Sequence, residues 1–245
     1  MPILNNKDMQ QHTTTSAYGF SATRIEDLGA SEYTLGLILV DVSGSVSSFR
    51  KDIELCIKEI VKSCRQNPRA DNMMLRLVAF DDKVAEYHGY KPLITCHESD
   101  YDGCIIIGGT TALYDATYNG VVSAAQYGEA LCAQDFDVNA AIFVITDGMD
   151  NASKATRSMV GDALRAAITD ENLESVVSVL IGVNTDSSGL NQYLRDFQSD
   201  AEFTEYVSIK KASKSELAKL GGFVSRSISS QSKALGTGGA ASLSF

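Results

Sequence analysis

The stretch "YTLGLILVDVSGSVSSF", residues 33–49, decides how this chain folds. Residues 34–42 are a continuous apolar run of strand length without polar alternation, the pattern of a strand covered on both faces. The run ends in Asp41, and Ser43 and Ser45 follow at alternate positions around Gly44. "SSFRKDIELCIKEIVKSCRQ", 47–66, then carries Ile53, Ile57, Ile60, Val61 and Cys64 at helical spacing. A buried strand that turns through one carboxylate and two hydroxyls into an amphipathic helix is the opening unit of an α/β chain.

The alternation continues outward from there. "NMMLRLVAFDD" (72–82) reads as a second strand and "KVAEYHGYKPL" (83–93) as a third, paired to it through the turn "FDDK". A glycine-led helix is predicted over 108–134, a buried strand over 139–148, a helix over 156–171 and a strand over 174–184. A short helix around 187–198, a strand over 205–210 and a last helix over 213–235 complete the pattern, the last opened by Ser213 with Glu216 three residues on. The predicted fold class is α/β, with a doubly wound, mostly parallel six-stranded sheet, helices on both faces and one antiparallel edge strand. Residues 34–235 form that domain. Residues 1–33, polar and rich in Ser and Thr, are expected to be poorly ordered or draped over it, and the Gly-rich 236–245 to be a flexible tail.

Composition narrows the function. At 245 residues and 44% hydrophobic the chain has enough apolar side chains for one sizeable core. No apolar run approaches the ~20 residues that span a bilayer, and the first thirty residues do not read as a signal peptide, so a cytoplasmic location is expected. The five cysteines have no framework spacing and read as free thiols. Cys96, His97 and Cys104 in "TCHESDYDGC" lack a C-x-x-C pair and read as an ordinary surface loop rather than a zinc site. Residues 81–150 hold twelve Asp and Glu against two Lys, which accounts for the whole net charge of −10. Such a segment attracts cations and repels nucleic acid and anionic lipid, so neither is expected as a partner.

In a doubly wound sheet ligands bind beyond the carboxyl ends of the strands, so the loops there matter most. Three of them hold unusual residues: "DVSGS", "GGTTA" and "TDGMD". Side chains two apart near an extended backbone point the same way, so Asp41, Ser43 and Ser45 can converge. With a threonine of "GGTT" and Asp147 after the strand 139–146, one site can hold two carboxylates and three hydroxyls, all hard oxygen donors. That set suits Mg²⁺, which prefers near-octahedral oxygen coordination at ~2.1 Å, with Mn²⁺ or Ca²⁺ as alternatives. A serine serving only as helix cap explains one hydroxyl but neither aspartate.

These three segments, in this order, resemble the von Willebrand factor A (VWA) family with its metal-ion-dependent adhesion site, or MIDAS, and the resemblance covers about residues 34–230. It implies Ser43, Ser45 and Thr111 as direct metal ligands, with Asp41 and Asp147 ligating directly or through water. The register set by "ALYDA" selects Thr111, whereas counting from the glycine pair selects Thr110; Thr111 is preferred. The resemblance also implies a protein-interaction (adaptor) domain, not an enzyme, in which the metal captures an Asp or Glu of a protein partner. Intracellular bacterial members act in stress-response or ATPase-associated complexes.

Two other classes compete. A haloacid-dehalogenase-type phosphatase or phosphotransferase also uses Mg²⁺ and an aspartate after its first strand, but it wants a second aspartate where this chain has Ser43. A structural subunit of a larger assembly is compatible with the adaptor reading. Neither a G-x-S-x-G elbow nor a phosphate-binding G-x-x-x-x-G-K-[ST] loop is present.

Overall fold

The computed structural model describes residues 9–169, 172–186, 189–237, 239–240 and 245. One sheet runs through the molecule. Its strands are β1 (Met9–His12), β2 (Phe20–Thr23), β3 (Glu32–Asp41), β4 (Met73–Phe80), β5 (Val84–Pro92), β6 (Asp137–Thr146), β7 (Val176–Val183) and β8 (Glu205–Ile209). The spatial order is β1-β2-β5-β4-β3-β6-β7-β8. β3 is central and pairs in parallel with both β4 and β6, so the chain winds outward from it in one direction and then in the other.

Among the described residues five α-helices cover the sheet: α1 (Arg50–Arg65), α2 (Leu113–Cys132), α3 (Arg157–Thr169), α4 (Leu190–Ala201) and α5 (Lys214–Ala234). α1 and α5 pack together on one face over Ile38, Val40, Leu75, Phe143 and Val179. α2, α3 and α4 cover the other face over Leu37, Leu39, Val78, Ile142 and Leu180. Successive residues of β3 feed opposite cores, which is why its sequence shows no polar alternation. Ser213 caps α5 by accepting the Glu216 amide at 3.3 Å, as the sequence predicted.

The expectation of six strands is two short. β1 and β2 come from the stretch expected to be draped or poorly ordered, residues 1–33, of which 1–8 lie outside the described residues. β2 runs parallel to β5 through Ala22 and Tyr90, and β1 closes the edge antiparallel to β2. The antiparallel β5 is consequently internal, not an edge strand. Both added strands are only four residues long, and "MQQH" is polar, so neither carries a periodic signal. Their anchorage is nonetheless deep: Phe20 and Ala22 are buried, and a Cβ on Gly89 would stand 1.9 Å from the Ser21 carbonyl oxygen. Only glycine permits that approach of β5 to β2.

The "TCHESDYDGC" segment also departs from a simple surface loop. His97, Glu98 and Asp102 are exposed, but Cys96 and Cys104 are buried under α1 in the apolar core. Burial pushes the Cys104 thiol up to about 12. His88 of β5 is buried as well, with Nε2 2.8 Å from the Tyr101 hydroxyl, and burial lowers its pKa to about 3.

Candidate metal site at the carboxyl end of the sheet

Asp41 ends β3 and Thr146 ends the neighbouring β6, so the two side chains meet at the carboxyl edge of the sheet. Thr146 Oγ1 donates to Asp41 Oδ2 at 2.6 Å, and the Ser43 amide donates to Asp41 Oδ1 at 2.9 Å. Ser45 Oγ donates to Asp147 Oδ1 at 2.6 Å and lies 3.1 Å from Ser43 Oγ. Asp41, Ser43, Ser45 and Asp147 therefore form one chain of oxygen atoms drawn from two loops. Neither serine caps a helix through its side chain: residues 44–49 form a 3-10 turn that leads into α1, and no hydroxyl bonds to its amides. The helix-cap alternative for these serines therefore falls away.

The third loop joins through its backbone. Gly108 N donates to Val42 O at 2.9 Å and Gly44 N donates to Gly109 O at 3.3 Å, stitching the glycine pair to the serine turn. On its far side, Thr111 N donates to Asn151 Oδ1 at 2.8 Å and Asn151 N to Thr111 O at 3.0 Å. Thr111 is buried and Thr110 is exposed. A Cβ placed on Gly148 would be 3.2 Å from Thr111 Oγ1 and 3.7 Å from Asp41 Oδ2, so the Thr111 hydroxyl faces the same small space as the Asp41 carboxylate. The structure thus gathers Asp41, Ser43, Ser45, Thr111 and Asp147 at one place.

Electrostatics there is one-sided. Among the described residues neither Asp41 nor Asp147 is ion-paired. Burial holds the Asp41 carboxyl above the usual carboxylate range, against hydrogen bonds from Thr146 and Ser43 that favour its ionised form. Asp147 is pushed up to about 6, by burial first and then by the charge of Asp41. Two such carboxylates beside three hydroxyls, without a protein cation, fit a hard divalent ion, which supplies the missing positive charge.

Several supporting residues were not singled out by the sequence. Thr146 is one, and its place before Asp147 in "VITDG" was the available signal. Asp150 and Asn151 in "GMDN" hold the loop after β6 in place. Asp150 Oδ1 accepts from Tyr114 N at 3.3 Å and from Ser153 Oγ at 2.5 Å, and so ties the loop to the start of α2. Asp115 accepts from the Lys154 and Ala155 amides at 3.1 and 2.7 Å. The Tyr114 hydroxyl bonds to the Tyr193 hydroxyl and accepts from Arg157 Nε at 2.7 Å. Because Thr146 fixes the Asp41 carboxylate, Thr146→Val should weaken Mn²⁺ binding roughly 10–100-fold with the fold intact. Equal calorimetric affinity in the variant would show that Asp41 is positioned without it.

No family model and no curated protein matches the sequence. Solved structures do match in fold. The PilB minor pilin from Streptococcus sanguinis is 14% identical with a TM-score of 0.55, covering 85% of this chain and 64% of that chain. Proximal thread matrix protein 1 from the mussel byssus, with a zinc-occupied MIDAS motif, is 22% identical with a TM-score of 0.55, covering 81% and 46%. A von Willebrand factor type A structure from Catenulispora acidiphila is 15% identical with a TM-score of 0.51, covering 87% and 44%. The fold is VWA-like. At these identities the likeness is one of fold, and the chain spans less than two thirds of each of those three chains. Within the VWA-like fold the five gathered residues sit where the winding of the sheet reverses, beyond the carboxyl ends of β3 and β6.

Proposed function

We propose that this protein is a metal-dependent protein-interaction domain whose site works as a MIDAS. In this reading Ser43, Ser45 and Thr111 ligate a divalent cation, Mg²⁺ or else Mn²⁺ or Ca²⁺, and Asp41 and Asp147 balance its charge directly or through water. The bound ion supplies a Lewis-acidic centre to which an Asp or Glu of a protein partner adds its carboxylate. The carrying observation is that buried Asp41 and half-buried Asp147 are bridged by Ser43 and Ser45 and have no ion-pair partner among the described residues. The mussel protein with zinc at its MIDAS supports divalent binding in such a fold.

Binding without catalysis is part of the proposal. Ser43 stands where a dehalogenase-type phosphatase needs its general acid. Immobilised protein should retain a partner in Mg²⁺ that EDTA elutes and that Ser43→Ala/Ser45→Ala resin fails to hold. Phosphatase and ATPase assays on the same preparation should give no turnover. Retention indifferent to both chelator and substitution would remove the metal from the mechanism, and turnover lost in Asp41→Asn would restore the enzyme reading.

The compartment is proposed as cytoplasmic, in a stress-response or ATPase-associated complex of a bacterium. The five cysteines are free and four are buried, and no described helix is long and apolar enough to cross a membrane. The second reading, a location outside the cell, is favoured by the pilin among the structural neighbours. Fractionation of the native cell into cytosol and surface decides between them.

A further inference from the structure

The end of the molecule away from the metal site has the opposite electrostatic character. α1 leaves the serine turn at the carboxyl edge of the sheet and runs to the amino edge, where Arg69 reaches Glu32 at the start of β3. α5 runs the same way: Asn139 Nδ2, near the start of β6, donates to Gln231 O at 2.8 Å, and Arg69 Nε donates to Ser232 Oγ at 3.0 Å. Between the last turns of the two helices lies a groove of about 570 Å³, lined by Ser63, Gln66, Asn67, Ser229, Arg226 and Lys233 among others. Its lining residues include Arg226 and Lys233 and no Asp or Glu.

Basic side chains cluster around the groove, while Glu59 of α1 accepts from the lining residue Ser63 at 3.1 Å. Residues 60–70 and 217–237, the two segments that build it, hold Lys62, Arg65, Arg69, Lys219, Arg226 and Lys233 and no Asp or Glu, in a chain of net charge −10. Arg69 and Lys219 are ion-paired with Glu32 and Glu216. Among the described residues Lys62, Arg65, Arg226 and Lys233 have no acidic partner, and all four are exposed. Two of these cations, Arg226 and Lys233, line the recess itself, and two unpaired cations in one recess suit an extended anion.

We propose that the α1–α5 groove is a second, metal-independent docking site for an acidic extended segment of a protein partner. Spacing supports an extended peptide. Arg226 and Lys233 are seven residues apart on α5, roughly 10 Å along one helix face. A polyproline II segment returns the same face every third residue at a rise of ~3.1 Å, so acids three apart recur at about the same interval. Small side chains keep the floor between the two cations low, for Ser225, Ser229, Ser230 and Gly222 line it. The site lies at the opposite end of the sheet from Asp41, so one molecule can hold two acidic partners at once, one through a cation and one through arginine and lysine.

The test uses the full chain in EDTA and low salt, with a fluorescein-labelled peptide of Glu-Pro-Ala repeats followed by anisotropy. Wild type should bind it saturably, and more weakly as salt is raised. Arg226→Glu/Lys233→Glu, both solvent-exposed, should weaken it at least about tenfold while keeping the wild-type melting temperature. Asp41→Ala should bind like wild type, which separates this site from the metal site whether or not that one functions. Three results would overturn the assignment: no saturable binding, equal binding by the charge-reversed variant, or equal affinity for the Gln-Pro-Ala peptide. Tighter binding of single-stranded oligothymidylate than of the peptide would overturn it in favour of a nucleic-acid site.

Discussion

At pH 7, saturating Mg²⁺ raises the melting temperature of the wild-type protein, and Asp147→Asn abolishes that rise while melting higher than wild type in EDTA. The two effects share one cause. Without a cation the fold must hold Asp41 and Asp147 together in a half-buried recess, and both carboxyls respond by holding their protons more tightly, Asp147 up to about 6. A carboxyl whose folded pKa lies above its ordinary value makes the native state bind more protons than the unfolded chain between pH ~4 and ~6. The stability of the metal-free protein therefore falls as pH rises through that window and levels off above it. Asparagine keeps the oxygen that accepts from Ser45 and removes the charge, so the metal-free variant escapes the loss. Metal requires the ionised carboxylates, so its stabilisation is small at pH 5 and complete near pH 7. At a hundredfold excess over Kd the gain is about 2.7 kcal/mol, or roughly 5–10 °C for a chain of this size. Melting curves with and without Mg²⁺ from pH 5 to 7.5 check all of this. A wild-type curve insensitive to metal at pH 7, or a metal-free Asp147→Asn that melts below wild type, would refute it.

That cost of the site also explains which parts of the molecule were legible in sequence. β3, β6 and β7 are buried on both faces, so their apolar runs are continuous and their ends were readable within a few residues. Asp41, Ser43, Ser45 and Asp147 stood out because a buried strand has no structural use for a carboxylate at its end. Thr111 was separable from Thr110 only by three-dimensional placement, since both follow the same glycines in a loop that has no period. Thr146 went unnoticed because a threonine at the end of a strand is ordinary, and its role appears only when β3 and β6 are set side by side. The N-terminal strands were hidden for a different reason. β2 is held by Tyr90 and Glu86, more than fifty positions away, which a local reading of "MQQHTTTSAYGFSAT" does not contain, and β1 pairs on β2.

The strongest of those distant contacts predicts the second large effect: Glu86→Gln lowers the melting temperature by roughly 6–20 °C and frees the N-terminal hairpin. Arg76 is 1% exposed in the middle of β4, and its Nε donates to Glu86 Oε2 of β5 at 2.7 Å. The rest of the guanidinium is satisfied by α2, with Nη1 2.7 Å from Ser123 Oγ and Nη2 3.1 Å from Asn119 Oδ1. Phe20 of β2 and Tyr90 of β5 stack near it, at 5.7 and 5.8 Å from ring centroid to Cζ. Glu86 in turn accepts the Ser21 amide at 3.1 Å and its hydroxyl, and Asn119 Nδ2 donates to Tyr18 O at 2.8 Å. Sheet, helix and N-terminal segment thus share a single ion pair, between buried Arg76 and half-buried Glu86. Neutralising Glu86 leaves a guanidinium without a counter-charge, which costs about 3–5 kcal/mol. It also loosens β2, so trypsin should cut after Arg24 faster than in wild type. Adding Arg76→Met removes the stranded charge and should recover much of the melting temperature, because an apolar replacement of a buried pair is nearly neutral. If Glu86→Gln melts like wild type and resists trypsin equally, the hairpin is held by Phe20, Ala22 and the Gly89 approach alone. If the single variant falls and the double variant falls further, the loss is one of packing and not of uncompensated charge.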